Sequence, residues 1–139
     1  MTVTIRPYTS KDYDAVKINL EDGGLFNASV DTPFTLQAKI EAHPISILVA
    51  EVDDQVVGNV YVIYDPWNSF IFRLAVRQEF REHGIGSRLM EAAELHLRQA
   101  GVKDVSLFVR SDHQELIDYY LKRGYTPMER THQCMYKEL

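Results

Sequence analysis

The stretch Arg81-Glu82-His83-Gly84-Ile85-Gly86-Ser87 carries the clearest chemistry in this chain. Its two glycines let the backbone come close to a ligand. It lies between a compact apolar run, Phe70 to Val76, and a helix-patterned segment, Ser87 to Ala100, so its context reads strand, glycine loop, helix. The unsatisfied N–H groups of a first helical turn and the positive end of the helix dipole favour anions, so the chemistry implied is the binding of a phosphate-bearing ligand. Two familiar phosphate loops do not fit. A Walker A loop needs a lysine where Gly86 is followed by Ser87-Arg88, and a dinucleotide fingerprint needs a third glycine where Leu89 stands.

The elements that must position this loop follow from periodicity and punctuation. Val3 to Pro7 alternates like a short strand, and Ser10 can cap a helix from about Lys11 to Leu20 with Ala15, Val16 and Leu20 facing a core. After the break at Asp22-Gly23-Gly24, Asp31-Thr32-Pro33 starts a second helix carrying Phe34, Leu36, Ile40 and Ala42, which His43-Pro44 ends. Ile45 to Val52 and Gln55 to Tyr64 read as a hairpin turned at Asp53-Asp54, and Asp65-Pro66-Trp67-Asn68 leads into the strand Phe70 to Val76. Beyond the loop, Ile85, Leu89, Ala93, Leu97 and Ala100 share one helical face, and Gly101 stops that helix. Val102 to Val109 reads as a strand and Asp112 to Arg123 as a helix ended by Gly124. Two last strands fall near Tyr125 to Met128 and Gln133 to Lys137. The order β-α-α-β-β-β-α-β-α-β-β predicts an α/β (α+β) domain, a mixed sheet with helices on both faces.

At 139 residues, 45% hydrophobic and 25% charged, the chain fits a single globular domain over 1–139 without repeats. A net charge of -5 argues against a nucleic-acid partner and suits a cationic one. Cys134 is the lone cysteine and reads as core filler in a strand; no His/Cys cluster has metal-ligand spacing, so no metal is expected. The start, Met1 to Arg6, lacks an apolar signal core and no run reaches membrane-spanning length, so the expected location is the cytoplasm, away from membranes.

The string Arg81-x-x-Gly84-x-Gly86, after Leu74-Ala75-Val76 and before a long amphipathic helix, resembles the acetyl-CoA loop of the GNAT superfamily of N-acetyltransferases. Leu107-x-Val109 followed by Tyr119-Tyr120-Leu121-Lys122-Arg123-Gly124-Tyr125 is similar to that family's second signature, and Met135-Tyr136-Lys137-Glu138-Leu139 to its last strand. The resemblance implies a GNAT-like fold over nearly the whole chain. Acetyl-CoA would be the acetyl donor and CoA the product, with an amine of a small molecule, peptide or protein as acceptor. It implies that the pantetheine arm pairs with the backbone of Leu74, Ala75 and Val76 and that the pyrophosphate rests on N–H groups of Arg81, Glu82, His83, Gly84, Ile85, Gly86 and Ser87. Tyr120 would stand beside the sulfur as general acid.

Direct transfer also needs the acceptor's proton removed, since an alkylammonium has a pKa of about 10.4. Family members often carry a carboxylate on the fourth strand, where this chain has Phe70, Ile71, Phe72 and Arg73. Asp65, Glu21, Asp22 or a water chain are the replacements. The family also often has an Asn near His113, which here either donates to the cofactor or faces solvent while Asp112 caps the helix. Trp67 either stacks on an acceptor or covers a sheet edge, and Arg73 either binds an acceptor carboxylate or pairs with a nearby acid. Tyr61 and Tyr64 are candidates for the cleft wall. The missing carboxylate and the altered Asn motivate an alternative, a CoA-binding sensor without turnover on the same fold. An edge strand in the last hairpin leaves homodimerisation open.

Overall fold

Apolar runs become a sheet where the chain can turn between them. In the computed structural model, which describes residues 1–139, they form one antiparallel sheet in the order β1 (Thr4–Pro7), β2 (Ile47–Val52), β3 (Gln55–Tyr64) and β4 (Ser69–Val76). Asp53 and Asp54 both take positive φ, 49° and 61°, the backbone of a two-residue hairpin turn between β2 and β3. At the next turn the Asp65 carboxylate accepts from the N–H groups of Trp67 and Asn68, at 2.8 and 2.9 Å, and starts β4. Backbone contacts divide the chain into two compact units, Met1–Leu107 and Phe108–Leu139.

The first unit holds the sheet and three helices: α1 (Tyr13–Asp22), α2 (Pro33–Ala42) and α3 (Ile85–Gln99). A short turn at Ser10–Asp12 precedes α1, with the Asp12 carboxylate accepting from Thr9 N–H and from Arg6, each at 2.8 Å. Thr32 caps α2 by accepting from Thr35 N–H at 3.1 Å, and Pro33 opens it. Both faces of the central strands are covered. Val16 and Leu20 of α1 and Leu36 of α2 pack with Ile47, Val49, Val56, Tyr61 and Ala75. Leu48, Ala50, Val57 and Val60 are also buried, and α3 lies against β2, β3 and β4 with Ile85, Leu89, Met90, Ala93 and Leu97 buried. Close packing there needs Gly58, since a Cβ on it would stand 3.0 Å from the Ala75 carbonyl oxygen and 3.2 Å from Leu89 Cδ1. The second unit contains one helix, α4 (Gln114–Lys122). No helix is long and apolar enough to cross a membrane.

The class of fold is as the sequence predicts, a mixed α/β chain, but the later strands are not. From Val102 to Val109 only Ser106 joins the sheet, by a parallel bridge to Phe70, because its backbone N–H and C=O alone meet Ser69 O and Ile71 N–H, at 3.1 and 3.0 Å. The Asp104 carbonyl accepts from the Ser69 hydroxyl instead of extending a ladder. No strand forms over Tyr125–Met128 or Gln133–Lys137: apolar residues there lack a ladder partner, and Thr126 to Leu139 are all exposed. Cys134 is accordingly an exposed free thiol and not core filler. Phe34 is 84% exposed on α2 and Ala100 is exposed past the end of α3, where Met90 is buried instead.

Candidate active site

The glycine loop sits where the sequence places it, between the end of β4 and the first turn of α3. Glu82 and Gly84 take left-handed φ of 66° and 76°, and Gly84 is the N-cap of α3. Left-handed residues in such a loop gather successive N–H groups into an anion-binding concavity. Nothing lies within 4 Å of where a Gly84 Cβ would be, so this glycine answers a backbone need and not a crowded one. Arg81, Glu82, His83 and Gly84 are exposed, whereas Ile85 is buried and anchors the helix beneath them. The imidazole of His83 bends back, its Nδ1–H donating to Arg81 O at 2.8 Å. Arg81 Nε donates to Val76 O at 2.8 Å, and its Nη2 stands 3.5 Å from the Asp22 carboxylate, which also accepts from Gln78 N–H at 2.8 Å. The guanidinium therefore ties the end of β4 to the end of α1 while leaving positive charge beside the loop.

The ladder between β3 and β4 is interrupted shortly before this loop and resumes at Ala75. The pairing shifts between Tyr61↔Phe72 and Asn59↔Ala75, so Arg73 and Leu74 together oppose Val60, a β-bulge. Arg73 has φ 56°, a left-handed conformation that costs a non-glycine residue about 1–2 kcal/mol. Two polar arrangements surround it. The Arg73 carbonyl accepts from Asn59 Nδ2 at 2.9 Å, Asn59 Oδ1 accepts from Asn19 Nδ2 at 3.1 Å, and Asn19 Oδ1 accepts from Arg77 Nε at 2.6 Å. Asn19, Asn59 and Arg77 are all buried. The Arg73 guanidinium reaches the buried Asp31 carboxylate at 3.2 Å, and Asp31 also accepts from Asn27 N–H at 2.8 Å, which fixes the loop between α1 and α2. Of the two roles open to Arg73, the structure shows the ion pair.

β4 is the last strand of the sheet, and the Ser106 bridge occupies its outer edge only at the Ser69–Ile71 end. From Leu74 to Val76 that edge is not laddered to another strand. An extended ligand with amide groups, ending in a pyrophosphate, could follow these features: backbone groups along Leu74, Ala75 and Val76, then N–H groups of Glu82 to Ser87 at the helix N-terminus, whereas the Arg81 N–H the sequence adds to that set is taken by Gln78 O at 3.2 Å.

Tyr120 lies in the second unit, on α4. It is buried, with Tyr119 and Tyr125 edge-on at 5.2 and 5.6 Å. Burial, reinforced by Tyr119 and opposed by Arg123, pushes its phenol up to about 12, so it stays protonated at neutral pH and can donate. His113 is the N-cap of α4: its Nδ1 accepts from Leu116 N–H at 3.2 Å, and Asp112 pairs with Arg110 at 2.8 Å instead of capping.

The other candidates separate. Asp65 is spent on the turn, where N–H groups of Asn68 and Trp67 hold its carboxyl below the usual range, which makes it a weak base. Tyr61 is buried in the core beside Phe72, its hydroxyl without a hydrogen-bond partner. Tyr64 is sandwiched between His43 and His96, at 4.8 and 5.6 Å, and with the 88% exposed Trp67 lines a cleft of about 630 Å³ at the Ser69 end of β4. Sequence reasoning missed Asn19, Asn59, Arg77 and Asp31. The available signal was an asparagine inside the apolar run Val56 to Val62.

The Acetyltransferase (GNAT) family model matches residues 14–125. An acetyltransferase of Pectobacterium atrosepticum is 30% identical over 125 residues, which are 90% of this chain and 89% of the relative. Among solved structures, Ard1 from Thermoplasma volcanium superposes with a TM-score of 0.80 at 29% identity, covering 91% of this chain and 84% of that one. The PaiA N-acetyltransferase from Thermoplasma acidophilum, solved in complex with coenzyme A, gives 0.81 at 17% identity and 94% coverage of both chains, a likeness of fold.

Proposed function

The chain belongs to the GNAT family of acetyltransferases, and on that premise we propose that it passes the acetyl group of acetyl-CoA directly to a primary amine of a small molecule or peptide, with Tyr120 as general acid. The observation that carries this reading is the open outer edge of β4 running into the left-handed loop at the N-terminus of α3. Bound acetyl-CoA supplies an activated acetyl thioester. N–H groups of Glu82 to Ser87 would hold its pyrophosphate, with the Arg81 guanidinium adding positive charge, and the backbone of Leu74, Ala75 and Val76 would hold its amide-bearing arm. Tyr120 keeps a proton on its hydroxyl for the departing sulfur, which its upward-shifted pKa supports.

Residues 1–139 are read as one catalytic domain, supported by a family match that runs across the boundary between the two compact units. Arg73 is committed to Asp31, which removes the argument for an acceptor carboxylate, so the net charge of -5 favours a cationic amine. The free thiol of Cys134 suits a reducing, cytoplasmic location.

The test is acetyl-CoA-dependent thiol release against pooled amines, amino acids and basic peptides, comparing the wild type with Tyr120→Phe. Acceptor-dependent release that falls about 10²-fold or more in the variant, with CoA affinity kept, is expected. Unchanged release in Tyr120→Phe would remove the general-acid assignment. CoA binding with no release from any pool would favour the sensor without turnover.

A further inference from the structure

A carbonyl that leaves a sheet ladder in the interior needs another donor, and here a side chain supplies it. Where Arg73 and Leu74 oppose the single Val60, the Arg73 carbonyl is taken by Asn59 Nδ2 at 2.9 Å. Asn59 cannot relax, because it is fully buried and its own Oδ1 is held by Asn19 of α1, which is held in turn by Arg77 just past the end of β4. The donations run one way, from Arg77 to Asn19 to Asn59 to the Arg73 carbonyl, so each bond polarises the next. Three buried polar side chains spent on one carbonyl of a strained, non-glycine bulge form a built device and not packing.

We propose that Asn59 is a positioning residue for acetyl transfer: braced by Asn19 and Arg77, it pins the Arg73 carbonyl outside the ladder and so fixes the direction of those backbone N–H groups of Leu74–Val76 that face the outer edge toward the acetyl carbonyl. This rests on the reading of that edge as the acetyl-CoA site. Asn59 itself touches no reacting atom. A bulge free to slip back into register would turn the N–H groups of the edge away, and misaligned donors lose most of their stabilising power. Glu82 to Ser87 would still hold the pyrophosphate, so affinity for CoA and alignment of the acetyl group are separable.

Asn59→Asp keeps the shape and the acceptor for Asn19 but sets an oxygen against the Arg73 carbonyl. Asn19→Asp is the milder variant, keeping the acceptor for Arg77 and losing only the donor to Asn59. Val52→Ala, a buried change at the hairpin end of β2, where it faces Gln55 and not Asn59, controls for general destabilisation. Two readouts need no acceptor. The first is the infrared carbonyl band of bound [1-13C]acetyl-CoA, expected below its free position in the wild type and in Val52→Ala, and moved back toward it in Asn59→Asp. CoA affinity should stay within about twofold, and turnover with any amine the wild type uses should fall about tenfold to a hundredfold. The second is amide exchange of the ligand-free protein, expected to quicken at Arg73–Val76 in Asn59→Asp and, less, in Asn19→Asp. A band and an exchange pattern unchanged in Asn59→Asp, or changed equally in Val52→Ala, would overturn the proposal. Should Asn59→Asp not fold, Asn19→Asp decides by the same readouts. Failure of the wild type to bind acetyl-CoA would instead defeat the reading of the site, while the exchange comparison still decides whether Asn59 holds the bulge.

Discussion

The two halves of β4 are one continuous strand built in two ways. Ser69 to Phe72 is laddered to β3 in unbroken register and bridged on its outer side by Ser106, with Ile71 buried and Phe72 edge-on to Tyr61 at 5.6 Å. Arg73 to Val76 bulges, relies on Asn59 for one carbonyl and on Arg81 for another, and leaves its outer edge unladdered. Apolar packing and a regular ladder are enough where the strand only has to hold the sheet. In the half proposed to keep backbone groups for a ligand, the ladder is interrupted and buried polar side chains substitute for it, at a cost in strain and desolvation.

The largest effect that separates the halves is expected at Arg73. Arg73→Ala leaves the buried Asp31 without its cation and should cost about 2 kcal/mol in denaturant unfolding. Arg73→Gly loses the same pair but relieves φ 56°, so it should be more stable than Arg73→Ala by about 1 kcal/mol. At Phe70, in the regular half, the order should reverse, with glycine worse than alanine by about 0.5–1 kcal/mol. The same order at both positions would remove the distinction between the halves.

A smaller effect is expected at the loop that continues the second half. Gly84→Ala meets no neighbour, so its cost should be only that of left-handed backbone, about 1 kcal/mol. Gly84→Asn should recover part of it, since asparagine tolerates that region. Equal losses would mean that crowding, not φ, decides the position.

A pH-dependent effect lies beside the regular half. Lys39 of α2 donates to Val62 O at 2.6 Å and stands 5.4 Å from the Phe72 ring, and burial pushes its ammonium down to about 8. In the unfolded chain it titrates near 10.4. Between these values the unfolded state binds more protons, so stability should rise with pH from about 8 to about 10.5. Below about 8 the cost of the buried charge is fully present. Lys39→Met should flatten that rise in melting curves, and an identical rise in the variant would refute the assignment.

What the sequence made legible follows the same division. The hairpin, the glycine loop and α3 were readable because a run of Val and Ile, an Asp-Asp turn and the Gly84-x-Gly86 spacing each express a local preference. His113 as the cap of α4 was not, since Asp112 is the better capping residue in isolation and is drawn instead to Arg110. Val102 to Val109 has the alternation of a strand, yet pairing depends on distant backbone, and only Ser106 finds it. Asn59, Asn19 and Arg77 meet from three elements, and nothing local in any of them announces the others. The positive φ of Arg73 was hidden for the same reason, because a residue other than glycine gives no signal of a left-handed bulge.

The most direct test of the account is amide hydrogen exchange along β4 and the loop, with and without acetyl-CoA. Protection confined to Leu74–Val76 and Glu82–Ser87, with Ser69–Phe72 unchanged, is the predicted result. Protection spread evenly along β4, or appearing only at the cleft around Tyr64 and Trp67, would contradict the claim that the bulged half of this strand is the acetyl-CoA site.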